Sequence, residues 1–457
     1  MRPVLFAVLL ALCACEETSE RANLLLVTLD TTRADRLGPY GAPKPTPTLD
    51  AFAREAVVYE RAYSTSSWTL PSHASLFTGL LPIQHGAETA RDGNTNALGY
   101  TVRPLADRFD TLAELLRAAG YHTAAVVGGP ALRHDLGVAQ GFDHYGDALH
   151  GLELFGGRRA ENVVNEAIEQ LHSFGAGPWF LFVNFFDPHA PYDPPAPYNG
   201  GLETVDEGRL HRALIARLVA GLPPAPEPWE DAANAALLAR YDAEIAYVDA
   251  ELARLLAAVA AAPGGDRTLI AITADHGESF GEHDYFSHGA HLYEDNVRVP
   301  LLLRLPNGAG AGTRVATPVP NHALFAEMLR AAELPIPTGV PTLDGHAEIL
   351  TEVGASDANV RLFGPFFDRS LRALYAFPFK WIESSRGPGE LYNLSADPQE
   401  RRNLAEEDPQ RAAALREQLA RRVAALPPLY EQGARAEVSD ETERSLRALG
   451  YLGDKGR

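Results

Sequence analysis

Asn23-Leu24-Leu25-Leu26-Val27-Thr28-Leu29-Asp30-Thr31-Thr32-Arg33 is the stretch on which the reading of the whole chain turns. Residues 23–29 are almost continuously apolar, and the polar character begins abruptly at Asp30. Such a run suits a strand buried on both faces of a parallel sheet, where the usual alternation of inner and outer residues is lost. The pattern returns twice. Trp179-Phe180-Leu181-Phe182-Val183-Asn184-Phe185 leads into Asp187-Pro188-His189, and Thr268-Leu269-Ile270-Ala271-Ile272-Thr273 leads into Asp275-His276-Gly277-Glu278. Thr123 to Val127 and Val299 to Leu303 are shorter strand candidates. Helical stretches fall between them at Leu49 to Val57, Leu112 to Ala119, Glu161 to Leu171 and Ala235 to Ala261. Strands alternating with helices predict an α/β sheet.

Outward from these strands the organisation changes. The Pro-rich stretch 191–228 reads as loop and insertion near the mouth of a site. From His346 the sequence predicts short strands and turns, a smaller subdomain over 346–405. Glu406 to Ala425 reads as an amphipathic helix within a helical tail, 406–457. A chain of 457 residues implies one large domain or a large domain with a smaller one. Hydrophobic residues at 46% and charged residues at 22% are those of a soluble globular protein. The formal net charge of −20 argues against a nucleic acid polymer, whose phosphates require a basic surface.

Residues 1–15 read as a lipoprotein-type signal peptide. Arg2 precedes the apolar run Val4 to Leu12, which is too short to span a bilayer. Leu12-Cys13-Ala14-Cys15 resembles a bacterial lipobox, with Cys15 the lipidated residue and 16–22 a polar tether. An ordinary cleaved secretory signal is the other reading. Either way the protein is expected to be exported, and with lipid on Cys15 it is anchored to a membrane, facing the periplasm or the cell exterior. Cys13 and Cys15 are the only cysteines. The mature domain therefore has neither a disulfide nor a cysteine for catalysis.

Open α/β sheets bind ligands outside the carboxyl ends of their strands. Each polar cluster taken singly reads equally well as a helix cap or a turn, but three at matching strand ends point to a site. Asp30, Asp275 and His276 suit one divalent metal ion with an open position, and the mixed oxygen and nitrogen donors favour Zn²⁺ or Mn²⁺ over Ca²⁺. Between the first two strands lies Ser66-Ser67-Trp68-Thr69-Leu70-Pro71-Ser72-His73-Ala74-Ser75-Leu76-Phe77-Thr78-Gly79. Pro71 suits the first turn of a helix, which puts Thr69 just before it, at exposed amides and the positive end of the dipole. That is a seat for an anion and for an alkoxide, whose formation a metal assists. A plain Thr N-cap is the alternative.

The Thr69 segment resembles the signature of the sulfatase family, in which a Cys or Ser is followed two residues later by Pro, then by Ser-Arg and a Leu-Thr-Gly helix; Pro71, Ser72, Leu76, Thr78 and Gly79 carry the likeness. It extends through Val27 to Arg36, Phe186-Asp187-Pro188-His189-Ala190-Pro191-Tyr192, Thr273 to Glu278, Tyr293-Glu294 with Val297 to Leu301, and Glu390 to Leu394 with Asp397-Pro398 and Asn403-Leu404. The resemblance, within the alkaline phosphatase superfamily, implies a doubly wound α/β/α sandwich with a mixed, largely parallel sheet, a catalytic domain over 23–345 and a smaller C-terminal α+β subdomain. The departures bear on chemistry. Thr69 stands where sulfatases convert Cys or Ser to formylglycine, His73 replaces Arg, Thr31 replaces an acidic metal ligand, and Val126 to Pro130 replaces a Gly-Lys-Trp-His segment. The late substrate Lys is missing, with His288 or His291 at about its distance.

A formylglycine hydrate releases sulfate by collapsing to an aldehyde, whereas a threonine ester has no such route. A threonine phosphate is resolved by in-line attack at phosphorus. The Thr, Asp, Asp-His and His-Gly pattern is similar to phosphoethanolamine and phosphoglycerol transferases and to nucleotide phosphodiesterases. The expected function is therefore a metal-dependent ester hydrolase or transferase that forms a covalent Thr69 intermediate on phosphate or phosphonate esters of a small molecule, glycan or lipid headgroup. His189 and His288 bind non-bridging oxygens or protonate the leaving group. His73, His291 and Arg33 are further candidates for substrate contact or support. A sulfuric ester hydrolase without formylglycine and a catalytically silent binding protein are the alternatives.

Overall fold

Along the first strand, Asn23–Leu29, Leu24 and Leu26 face one hydrophobic core while Leu25, Val27 and Leu29 face another. That split explains the unbroken apolar run, since each residue is buried whichever way it points. The computed structural model describes residues 21–448 apart from 92–99, 149–156, 176, 207, 211, 214–215, 217–227, 346–347, 356–359, 361–363 and 431–437. The expected signal segment, Cys15 and most of the tether lie outside the described residues.

The first strand pairs in parallel with Trp179–Phe185 on one side and Thr268–Thr273 on the other, with Leu24 opposite both Phe180 and Leu269. These are the middle three strands of an eight-stranded sheet. His122–Val127 and His144–Gly146 extend it in parallel on the Trp179–Phe185 side. On the other side Leu301–Arg304 adds antiparallel to Thr268–Thr273, and Val57–Tyr59 antiparallel to Leu301–Arg304. One face is covered by the helix Thr69–Thr78 and by Leu324–Ala331; the other by Pro47–Glu55, Ala160–Ser173 and the long helix Pro228–Ala261. The protein is thus an α/β/α sandwich with a mixed, largely parallel sheet.

The predicted strand Val299 to Leu303 is two strands, because Pro300 has no N–H for the ladder. Arg298–Val299 joins a small ribbon with Ala62–Tyr63, and Leu301–Arg304 enters the main sheet. The long helix begins at Pro228 rather than Ala235, since proline is tolerated in a first turn.

Ile349–Val353, Leu371–Ala376, Phe379–Ser384 and Glu390–Asn393 form a separate four-stranded antiparallel sheet. The helix Pro409–Ala424, expected in a tail, buries Ala412, Leu415 and Leu419 against Leu350, Leu374, Trp381 and Leu391 of this sheet. Asp440–Ala448 returns to the large domain, where Leu446 joins the main core and Thr442 accepts from Arg133 at 2.8 Å. Among the described residues no helix is long and apolar enough to cross a membrane.

Lys380 fastens the subdomain sheet to the large domain. It is fully buried, 2.7 Å from Glu400 and 3.3 Å from Glu294, and Glu294 also accepts from Tyr375 at 3.0 Å. Lys380→Ala leaves two carboxylates facing each other without a cation. The expected cost is about 3–5 kcal/mol, read as a lower urea midpoint.

Candidate active site

Counting two residues past the paired rung Thr28 and Thr273 reaches Asp30 on one strand and Asp275 on its neighbour. Both carboxylates are fully buried at adjacent strand ends. Asp275 Oδ1 accepts from the backbone N–H of Thr31 at 3.2 Å and of His276 at 2.9 Å, which leaves Oδ2 turned into the site. That Oδ2 and both oxygens of Asp30 lack a hydrogen-bond donor at bonding distance. His276 donates from Nδ1 to the Gly277 carbonyl at 2.9 Å, which fixes the tautomer that presents the Nε2 lone pair. Nε2 lies 3.4 Å from Asp275 Oδ2 and 3.2 Å from Thr69 Oγ1.

These ligand atoms of Asp30, Asp275 and His276 cluster within 4.8 Å. Burial raises the Asp30 carboxyl well above its ordinary range, the Asp275 charge adds to the shift, and the nearby Asn184 amide compensates only in part. Burial also raises Asp275 and holds His276 down at about 3. Two buried carboxylates with unfilled oxygens and a neutral imidazole form a donor set that a divalent cation satisfies and nothing else among the described residues does.

Thr69 is the first residue of its helix, not the residue before it; Trp68 occupies the cap position. The Thr69 side chain is therefore not spent on capping and reaches His276 instead. The backbone of Thr31, a β-branched residue, is left-handed at φ 53°, strained for such a side chain. Thr31 Oγ1 donates to the Pro188 carbonyl at 2.8 Å, and its own carbonyl accepts from Tyr241 at 2.8 Å. Strain at this position aims its amide at Asp275.

His189 and His288 complete the opposite wall. The His288 ring lies 4.4 Å from that of His276 and 5.0 Å from that of His189. His189 donates from Nδ1 to the Ala190 carbonyl at 2.6 Å and stacks on Phe186. Burial, with His288 adding to it, pushes His189 down to about 3.

The structure holds His73, His291 and Arg33, the further candidates for substrate contact or support, as follows. His73 is fully buried, with Nε2 3.0 Å from Thr28 Oγ1 and Nδ1 donating to the Thr69 carbonyl at 2.9 Å, so it supports the helix start from beneath. His291 bonds Ser279 Oγ at 2.8 Å and packs on Tyr285, under the hairpin rather than in the site. The Arg33 guanidinium is committed to Asp35 at 2.8 Å, Glu282 at 2.7 Å and the Glu278 carbonyl at 3.1 Å.

Two buried polar residues that the sequence reading left without a role also belong here. Asn184 donates to Thr28 Oγ1 at 3.1 Å and accepts from the amides of Gly128 and Gly129 at 3.3 and 3.2 Å. As polar breaks inside buried apolar strands, Thr28 and Asn184 were visible in the sequence.

A family model described as sulfatase matches residues 22–334. The chain belongs to the sulfatase family. It is 25% identical over 435 residues to the uncharacterised sulfatase YidJ of Escherichia coli (strain K12), covering 85% of this chain and 84% of that one. It is 24% identical over 453 residues to an arylsulfatase of Clostridium perfringens, covering 84% of this chain and 90% of that one. The fold matches a phosphonate monoester hydrolase of Agrobacterium radiobacter with a TM-score of 0.67 at 24% identity, over 89% of this chain and 95% of that one. This chain is a sulfatase-family hydrolase whose Asp30, Asp275 and His276 could hold a metal ion.

Behind the His189 loop, Asp187 accepts from the Ala160 amide at 3.2 Å, while its Oδ2 and Glu244 Oε2 have no partner. Burial holds Asp187 up at about 7; burial and the Asp187 charge hold Glu244 up at about 8. The native state thus keeps protons that the unfolded chain releases. Stability is full below the ordinary carboxyl range and falls as pH rises through 7 to 8. Glu244→Gln is expected to flatten this loss, seen as a smaller drop in Tm between about pH 5 and about pH 9 than in the unaltered protein.

Proposed function

We propose that the protein cleaves phosphate or phosphonate esters through a covalent intermediate on Thr69, with one divalent ion, Zn²⁺ or Mn²⁺, held by Asp30, Asp275, His276 and Thr69 Oγ1. The observation that carries this reading is the Thr69 hydroxyl at a helix N-terminus, 3.2 Å from His276 Nε2, beside carboxylate oxygens that have no partner. When bound, the ion neutralises the carboxylates, polarises the ester and acidifies the hydroxyl. Thr69 attacks phosphorus, and the exposed first-turn amides of its helix favour the anion that approaches them. His189 and His288 address the non-bridging oxygens and the leaving group. Water or an acceptor alcohol then clears the enzyme.

Phosphorus is preferred over sulfur on mechanism, since a threonine sulfate cannot collapse to an aldehyde. Sulfuric ester hydrolysis is the second reading, favoured by the naming of both sequence relatives as sulfatases. The unpartnered carboxylates argue against a silent binding protein, which has no use for them. The substrate is a small-molecule, glycan or lipid-headgroup ester, and the chain is exported and tethered through lipid on Cys15. Loss of membrane-bound protein in Cys15→Ala tests the tether. Matched aryl phosphate, phosphodiester, phosphonate and sulfate esters test the chemistry: turnover of phosphorus esters above sulfate supports the first reading, and the reverse order supports the second.

A further inference from the structure

The two histidines assigned to the ester in the proposed reaction have different Nδ1 partners, a backbone carbonyl and a carboxyl group. His189 gives its Nδ1 proton to a backbone carbonyl, that of Ala190. A carbonyl fixes the ring but exchanges no proton with it. His288 is held instead by a carboxyl group: its Nδ1 lies 3.0 Å from Glu278 Oε1. Glu278 is fully buried, and its second oxygen accepts from the Tyr192 hydroxyl at 3.1 Å. Both oxygens therefore have defined partners, and the carboxyl plane is set by Tyr192 on one side and the imidazole on the other.

The segment that presents His288 is built at a conformational cost. It follows the hairpin Ser279–Phe280 and Phe286–Ser287, and His283, Asp284 and Ser287 all take left-handed backbone at φ 54°, 61° and 69°. Three non-glycine residues in that region persist only where surrounding contacts impose them. Here the contacts include His283 Nε2 to the Gln399 carbonyl at 3.1 Å and Asn296 Nδ2 to the Ser287 carbonyl at 3.4 Å. Sequence spacing placed His288 near the site, but only this folding-back brings its ring to Glu278.

We propose that Glu278 is a positioning residue that makes His288, and not His189, the proton donor to the leaving oxygen. The assignment rests on the covalent Thr69 reading above. Thr69 Oγ1 loses its proton to solvent as its bond to phosphorus forms. The bond from phosphorus to the leaving oxygen breaks, and the proton on His288 Nε2 moves to that oxygen. The proton shared between Glu278 Oε1 and His288 Nδ1 stays within the pair and balances the change on the ring. In the second half, water attacks phosphorus and its proton returns to Nε2. Thr69 leaves phosphorus and recovers a proton from solvent. His189, tied to a carbonyl, binds a non-bridging oxygen throughout.

The test compares a phenyl with a 4-nitrophenyl ester of the same phosphonate, because an acid matters for a poor leaving group and little for a good one. Glu278→Gln keeps the shape and Tyr192→Phe loosens the carboxyl without touching it; thermal melts with and without added metal show that each folds and binds the ion. The expected result is a loss of roughly 10²-fold or more in kcat/KM for the phenyl ester with Glu278→Gln and with His288→Ala, and far less for the 4-nitrophenyl ester. Tyr192→Phe shows the same pattern at smaller size, and His189→Ala lowers both esters alike. Equal losses on both esters with Glu278→Gln, or no loss on either, overturn the assignment. Turnover that survives Thr69→Ala overturns the covalent reading instead, while the leaving-group contrast still decides the part played by Glu278.

Discussion

Thr69→Ala is expected to lower kcat for an aryl phosphonate or phosphodiester by at least about 10³-fold with little change in Tm. On the proposed covalent reading Thr69 is the nucleophile, the one group here for which no neighbour substitutes. Ser66 and Ser67 lie three and two residues earlier, and Ser72 is committed to the Asp275 carbonyl at 2.7 Å and to Ser64 at 2.9 Å. Beyond Cys15 the sequence holds no cysteine. Thr69→Ser keeps the hydroxyl and should retain measurable turnover. Single-turnover experiments with a labelled phosphonate should find the label on the Thr69 peptide in the unaltered protein and nowhere in Thr69→Ala. A full-rate Thr69→Ala enzyme would mean that water is activated directly.

Asp30→Asn is expected to abolish activity and yet to raise the Tm of the metal-free protein. Two buried carboxylates at neighbouring strand ends repel each other and lack donors for three of their four oxygens. In the absence of an ion each destabilises the fold, and neutralising one relieves the pair. In the unaltered protein a cation gives the same relief. An ion at about 100 times its Kd stabilises by about 2.7 kcal/mol, so Zn²⁺ or Mn²⁺ should raise Tm and a chelator lower it. The Asn variant should lose that response. Scanning fluorimetry of both proteins with chelator, Zn²⁺, Mn²⁺ and Ca²⁺ reads all of this without an assay of turnover. A metal-free Asp30→Asn protein that melts lower than the parent would contradict the account of the site.

Much of this was legible in the sequence because buried parallel strands leave an unusually plain trace. The runs at 23–29, 179–185 and 268–273 are the three middle strands, residue for residue. Polar residues directly after such strands collect at one edge, which is why Asp30, Asp275, His276 and His189 come together, while Thr69 arrives on a helix start and His288 on a hairpin that folds back. What was not legible depends on direction. His288 and His291 are three residues apart, and spacing alone could not say that one faces the site and the other Ser279. Arg33 follows a strand end like Asp30 but meets Asp35 and Glu282, acids whose position only the folded chain supplies. Glu278 stood in plain view in Asp275-His276-Gly277-Glu278, yet its partners arrive from residues 192 and 288.

Asp30 and Asp275 extend an in-register parallel pair by the same two residues. Their separation is thus inherited from the spacing of neighbouring strands, about 4.8 Å, and not from any loop. Insertions or deletions in the connecting segments leave that distance untouched, as long as the rungs stay matched. The site behaves like a ruler ruled on the sheet itself: loops around it are at liberty to drift and acquire new substrates, while only a slip of the strands would erase the marks.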